Sequence, residues 1–456
     1  MKAHLGAAVV AGALLVAAAL PAAAAPAPLD LRAAVRYALD HDPTVLARRA
    51  TLAQDEADFA RLHASEFPQV AGTLQNQLAK SSNASGAFQQ YGLQPAQVFS
   101  QNTAQIGATY TIFDGSATPI AAQEAKRRVE AARSDVRRSE QQLAGDVAAA
   151  FYDVARRRDA VRLTESDAAY QRALLEAARA QEKVGRVAGV DVLRAQVATL
   201  RSDAALATAR SDEATARDTL ALRTGTALDT PFAIPVVLPE PPLPRTPLEA
   251  LIARARESRP DIAGARAGVA VARLVDAAIE SDRLPKLAVT AAFGNQSTPS
   301  TYAQRAAFGI PRGNPGFWQL GATETFSVPL LEYGSRRARH HAARAQLEAA
   351  QATLASTETG VEADVRGAYR AAATAAANLA TAREAERLGS ESARIAQLQY
   401  RNGLISLTDA AAVEQSALQA ANELVGARVA YLTALVRLRT AVGVADPVAL
   451  VDPGAP

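Results

Sequence analysis

The sequence predicts a mainly α-helical fold: two tandem long helical hairpins, each preceded by a strand pair belonging to a membrane β-barrel shared between chains. Three observations predict it: an internal duplication, apolar seams recurring every seven residues, and four strand-length segments, too few to close a barrel. Pro43 recurs at Pro260 and Pro68 at Pro285, each 217 residues on. Phe151 answers to Tyr369, Gly185 to Gly403, Asp191 to Asp409 and Gly225 to Gly443, each 218 residues on. Ala-rich helices resemble one another by chance, but chance does not hold Pro, Gly and Asp in register over such a distance. The chain therefore divides into a signal peptide (1–24), a first repeat (25–235), a Pro-rich linker (236–246), a second repeat (247–445) and a tail (446–456).

The elements follow in order. Lys2, an apolar run over 7–20, Pro21 and the small residues 22–25 make the basic start, short core and A-x-A end of a secretory signal. Cleavage is expected after Ala24, since Pro26 disfavours the bond after Ala25. The run falls short of the roughly 20 residues a spanning helix needs. Each repeat opens with a short helix, over 29–40 and 247–257, and a second one starting at Pro43 or Pro260, where proline is pre-set for the first helical position. Pro68 and Pro285 end that helix, because proline cannot continue its hydrogen-bond ladder. Strand-length segments follow at 70–78 and 104–113, then at 286–294 and 317–328, each pair around a polar or Gly/Pro-rich loop. About ten residues is the length of a tilted outer-membrane strand.

Next comes a very long helix, over 116–184 and 334–402, with an apolar seam at Val129, Val136 and Leu143, and again at Leu347, Leu354 and Val361. Spacing by sevens implies helices wound around one another. Gly185 and Gly403 act as helix stops. Returning helices over 191–223 and 409–442 begin at Asp191 and Asp409, where an acid can accept from free amides and faces the positive dipole end.

Composition fits this architecture and excludes others. Aromatic residues make up 5% and charged residues 21% of 456 residues, an Ala/Arg/Glu/Leu-rich mix typical of long helices. The chain has no Cys, so it forms no disulfide, thiolate metal site or lipidated junction cysteine. Its 49 basic and 46 acidic residues nearly balance, and doublets such as Arg127-Arg128 and Arg137-Arg138 read as solvated helix faces rather than nucleic-acid contacts. There is no G-x-S-x-G elbow, P-loop or G-x-G-x-x-G, so an enzyme and a bound cofactor are not expected. His41, His63, His340 and His341 lack metal-ligand spacing, and the pair His340-His341 reads as surface.

Four strands cannot close a membrane barrel, which needs about eight, and unpaired edges are not tolerated in lipid. Strands that enter the membrane must therefore be shared among several chains, with the helices stacked around the same axis as a conduit. A periplasmic helical tether without a pore is the alternative that heptad seams alone would allow.

On these residues the chain resembles the TolC-like outer-membrane efflux protein family. The likeness is carried by the joins Ile112-Phe113-Asp114-Gly115 and Leu331-Glu332-Tyr333-Gly334, and by Arg259-Pro260-Asp261. It is carried further by the tips Lys183-Val184-Gly185-Arg186 and Tyr400-Arg401-Asn402-Gly403-Leu404, and it spans essentially the whole mature chain. The resemblance implies a homotrimer in the outer-membrane lipid, with a twelve-stranded barrel and a periplasmic α-barrel closed at its far end. It also implies tips around Gly185, Arg186, Gly403 and Leu404 that dock on a periplasmic adaptor linked to an inner-membrane transporter, for efflux or for type I secretion. Asp409 matches the first acid of the entrance ring, and the second acidic position holds Ala412. Tyr400 and Asp191 match a tyrosine and its acidic partner in the entrance lock. The lock's arginine position holds Ile405, so either Arg401 or Arg186 is expected to substitute.

Overall fold

The computed structural model describes residues 29–81, 97–185, 187–297, 316–330 and 333–451. The expected signal peptide, the loops within the strand pairs, Arg186 and the join residues Leu331-Glu332 lie outside the described residues. The first repeat runs α1 (Leu31–His41), α2 (Pro43–Ala64), β1 (Gln69–Ser81), β2 (Gln97–Phe113), α3 (Ala117–Lys183) and α4 (Gly189–Thr224). The second runs α5 (Leu248–Ser258), α6 (Pro260–Ser281), β3 (Lys286–Ser297), β4 (Gly316–Ser327), α7 (Ser335–Arg401) and α8 (Leu407–Val442). The expected duplication is the observed architecture, element for element.

Local chemistry sets the boundaries. Asp30 caps α1 by accepting from Ala33 N at 2.7 Å, and Asp42 caps α2 by accepting from Thr44 N and Val45 N just before Pro43. At the join from β2 to α3, Asp114 Oδ2 accepts from Thr118 N at 2.7 Å, while Gly115 (φ 74) and Ser116 (φ 73) turn the chain through left-handed backbone. α3 and α7 have 67 residues each and so reach about 100 Å.

Two hydrophobic cores lie at mid-length, one per repeat. The first gathers Val35 and Leu39 of α1 with Val147, Phe151 and Val154 of α3 and Leu220 of α4. The second gathers Ile252 of α5, Ile262 of α6, Val361 and Val365 of α7, and Leu438 of α8. α8 serves both: Leu432 and Val436 enter the first core, whereas Tyr431, Leu435, Leu438 and Val442 enter the second. This spacing is two helical faces used at once. The segment between the repeats is anchored as well. Phe232 and Leu238 are buried in the first core, Arg158 Nη1 donates to Ile234 O at 2.9 Å, and Glu240 pairs with both Arg428 and Arg383. Leu450 and Val451 of the tail are buried in the same core.

The seam expected on α3 is buried at Val129 and Val136, and that on α7 at Val361. Leu347 and Leu354 stay half-buried, because α7 has fewer helices against it within one chain. His340 is a correction to its reading as surface. It is half-buried, and its Nδ1 pairs with Asp276 while Nε2 lies 3.6 Å from Glu280, so it ties α7 to α6.

The strands form one antiparallel sheet in the order β1-β2-β3-β4, leaving one edge of β1 and one of β4 unpaired. Cross-strand partners share a face, and the register divides the sheet into a mainly apolar and a polar side. Val70, Leu74, Ile106, Val289, Phe293, Trp318, Leu320 and Phe326 lie on one face. Thr73, Gln75, Gln105, Thr109, Thr290, Gln319 and Thr323 lie on the other. Stacking of Phe293 on Trp318 at 5.3 Å and the approach of Thr109 Oγ1 to Thr290 Oγ1 at 3.5 Å mark the two faces. A bulge between Thr111 and Phe113 brings Phe113 opposite Leu287, onto the apolar side. From Trp318 to Phe326 the apolar face extends about 26 Å along the strand, matching the roughly 25 Å apolar band of outer-membrane barrels. Among the described residues no helix is long and apolar enough to cross a membrane.

Candidate functional site at the hairpin tips

Each hairpin turns on one glycine. Gly185 and Gly403 both take φ 72, and a Cβ at either would meet open space, so these glycines serve backbone geometry rather than close packing. At the second tip Gly403 N donates to Tyr400 O at 2.9 Å and Leu404 N to Gln399 O at 2.9 Å, the paired bonds of a Schellman end. Val184 and Leu404, at 68% and 72% exposure, leave an apolar side chain projecting from each tip.

The helix that leaves the second tip begins differently from the sequence expectation. Ser406, not Asp409, is its N-cap: Ser406 Oγ accepts from Asp409 N at 3.1 Å and donates to Asp409 Oδ2 at 2.7 Å. Asp409 is the third residue of this capping arrangement, exposed, and placed where the helix dipole favours its charge. Asp191 holds the equivalent place on α4, where Ala188 is the cap residue and offers no side-chain acceptor. Its carboxylate pairs with Arg194 at 3.4 Å.

The two tips pack on each other. Leu174 of α3, Tyr400 of α7 and Ala410 of α8 form one buried cluster, flanked by Tyr170 and Ile405. Beside it Asp191, Arg194, Tyr400, Arg401, Gly403 and Ser406 line a cavity of about 610 Å³. Asp191, Tyr400, Arg401 and Gly403 are thus brought together, whereas Asp409 points elsewhere. The Tyr400 hydroxyl is buried and has no hydrogen-bond partner among the described residues. Burial, and then the nearby Asp191 carboxylate, push its pKa up. The expected tyrosine–aspartate link is therefore a proximity and not a bond within one chain, because Asp191 spends its carboxylate on Arg194. Arg401 is exposed and makes no ion pair among the described residues.

Sequence reasoning missed a second polar group just above. Gln397 Nε2 donates to Glu414 Oε2 at 3.5 Å, and Ser202 bonds Asp167 across the first hairpin. Burial first, and then Glu414, push the Tyr170 hydroxyl up to about 12. Glu414 stands two residues after Ala412 and on the same helix, a displacement that spacing alone did not flag. Burial raises its pKa above the ordinary 4.5, Gln397 offsets part of this, and Asp167 adds to it. A carboxyl with a raised folded pKa favours the packed tip while protonated, and that contribution is lost as pH rises from 4.5 through the folded value. Glu414→Gln is expected to firm the tip at neutral pH by about 0.5 kcal/mol, after discounting for solvent screening, and to flatten its pH dependence. Amide exchange at the 395–415 tip, followed across mild acid, checks this.

Residues 34–226 and 251–444 match the family described as outer membrane efflux protein, once per repeat. The chain belongs to the outer membrane efflux protein family. Protein CyaE of Bordetella pertussis is 26% identical over 346 residues, covering 75% of this chain and 68% of its own. Outer membrane efflux protein BepC of Brucella suis is 27% identical over 345 residues, covering 74% and 72%. The solved structure of the Campylobacter jejuni CmeC outer membrane channel superposes with a TM-score of 0.74 at 16% identity, covering 91% of this chain and 85% of that one. As a member of the outer membrane efflux protein family the chain is an outer-membrane efflux channel, with its sheet in the membrane and its hairpins in the periplasm.

Proposed function

We propose that this channel is the passive exit duct of a tripartite efflux or type I secretion system, assembled as a homotrimer. The observation that carries the reading is the sheet. It has one mainly apolar face, one polar face of mostly Thr and Gln and two unpaired edges, and it continues into hairpins about 100 Å long. Three copies joined edge to edge give twelve strands, enough to close, with the polar faces lining a water-filled lumen. Energy comes from an inner-membrane transporter, joined through a periplasmic adaptor that docks at Gly185, Arg186, Gly403 and Leu404, where Val184 and Leu404 offer apolar anchors.

The described lumen face of the sheet carries Thr and Gln, with Lys286 only at its base, so charge selection falls to the tips. Three Asp409 carboxylates around one entrance favour cations, and in this reading Arg401 and Asp191 lock against the next copy. Planar-bilayer conductance tests the proposal: the purified chain is expected to give small, cation-preferring currents. Asp409→Ala should lower the cation preference roughly threefold, as expected from emptying a ring of charges. Ser406 keeps the cap in that variant, so the hairpin stays folded. Unchanged selectivity would remove Asp409 from the entrance, and a chain that never conducts would leave only a helical tether.

A further inference from the structure

The apolar face of the sheet is interrupted by one carboxylate. Glu324 of β4 lies opposite Val289, between Ala322 and Phe326 on the side that bears Trp318 and Leu320. It is exposed and has no ion pair or hydrogen bond among the described residues. An ionisable group facing hydrocarbon is costly, and it persists where a partner of opposite charge meets it.

Among the described residues no such partner lies nearby. Lys286, at the base of β3, has the opposite facing and lies 3.4 Å from Asp282. β4 is an edge strand, so the neighbour that closes the barrel there is β1 of the next copy. Residues 69–79 contain no Lys, Arg or His, and Lys80 stands at the far, loop end. Whatever register the two edges adopt, the lower part of that seam offers no cation. Glu324 is two residues above Phe326, about 7 Å along the strand from the lower end of the apolar band. Local thinning of the bilayer brings the headgroup layer to a carboxylate at that depth.

We propose that Glu324 binds the primary ammonium of an aminophospholipid headgroup in the periplasmic leaflet, at the seam between neighbouring copies. The inference rests on the edge-to-edge barrel proposed above. Wild-type channel and the variants Glu324→Gln and Glu324→Leu, reconstituted in vesicles of equal parts phosphatidylethanolamine and phosphatidylglycerol, test it. Lipid retained after detergent washing is identified by mass spectrometry, and conductance and the detergent-resistant oligomer are recorded in parallel. The wild type is expected to retain phosphatidylethanolamine in excess, and both variants to lose that enrichment about fivefold, equivalent to roughly 1 kcal/mol for one charge near a membrane surface. Conductance and the oligomer should remain. Equal enrichment in the wild type and the variants, or none in the wild type, overturns the lipid site while leaving the barrel standing. Loss of the oligomer in the wild type itself overturns both.

Discussion

Gly115→Val is expected to abolish the assembled channel. Gly115 takes φ 74 at the join of β2 and α3, where a Cβ would come within 2.6 Å of Ser281 O and 2.9 Å of Leu284 Cβ. Valine would incur both the left-handed backbone cost of about 1–2 kcal/mol, more when β-branched, and an overpacking cost of about 1–3 kcal/mol. Backbone, not a flexible side chain, stands in the way, so the turn between α6 and β3 in the other repeat must move. Gly334 is the control: it has the same kind of φ, at 82, but nothing within 4 Å of an added Cβ. Gly334→Ala should cost only about 1–2 kcal/mol and still assemble. The detergent-resistant oligomer and its melting temperature, measured for both, separate strain from collision.

Arg259→Ala is expected to destabilise the middle of the molecule by about 3 kcal/mol, as removal of one partner from a buried ion pair does. Arg259 and Asp261 are 14% and 13% exposed, Arg259 Nε donates to Asp261 Oδ1 at 2.9 Å, and Nη1 donates to Ala441 O at 3.2 Å. The arginine thus joins the start of α6 to the end of α8. Burial alone would push the Asp261 carboxyl up, but the Arg259 guanidinium reverses this and holds it below 3.8. A depressed carboxylate contributes stability above its unfolded pKa and loses it as pH falls through the folded value. The gap between wild type and variant should therefore be full at neutral pH and shrink below about pH 3.8. Thermal unfolding at several pH values checks it, and a constant gap would mean that packing, not charge, is what Arg259 supplies.

Much of the fold was legible because punctuation survives duplication. Pro43 and Pro260 open helices where expected, and α7 ends within one residue of the sequence reading because Gly403 must take a positive φ. The strands were harder. β2 starts at Gln97 rather than near 104, since that polar stretch lacks the alternation that marks a strand, and pairing with β1 (Ser81 opposite Gln97) defines it instead. At the tips, position was legible and geometry was not. Asp409 matched an acidic place by sequence, but only the fold shows Ser406 taking the cap, although S-x-x-D was there to read. Tyr400 and Asp191 meet across two hairpins, and the rotation of one helix against another is not written in either segment. His340 was misread for the same reason: its partners lie 60 to 64 residues earlier, on α6.

Because α8 puts one face into each mid-length core, the two hairpins are clamped together at that level and cannot pivot separately there. In α3 the first core ends at Ala155, and Lys183 closes the helix 28 residues further on, a free lever of about 42 Å. Among the described residues two small clusters join the hairpins at its end, one around Leu174, Tyr400 and Ala410 and one in which Leu407 packs on Leu175, Ala178 and Ala195. A tilt of about 5° at the clamp would carry the tip about 4 Å along this lever, so modest bending at the waist translates into ångström-scale dilation at the mouth.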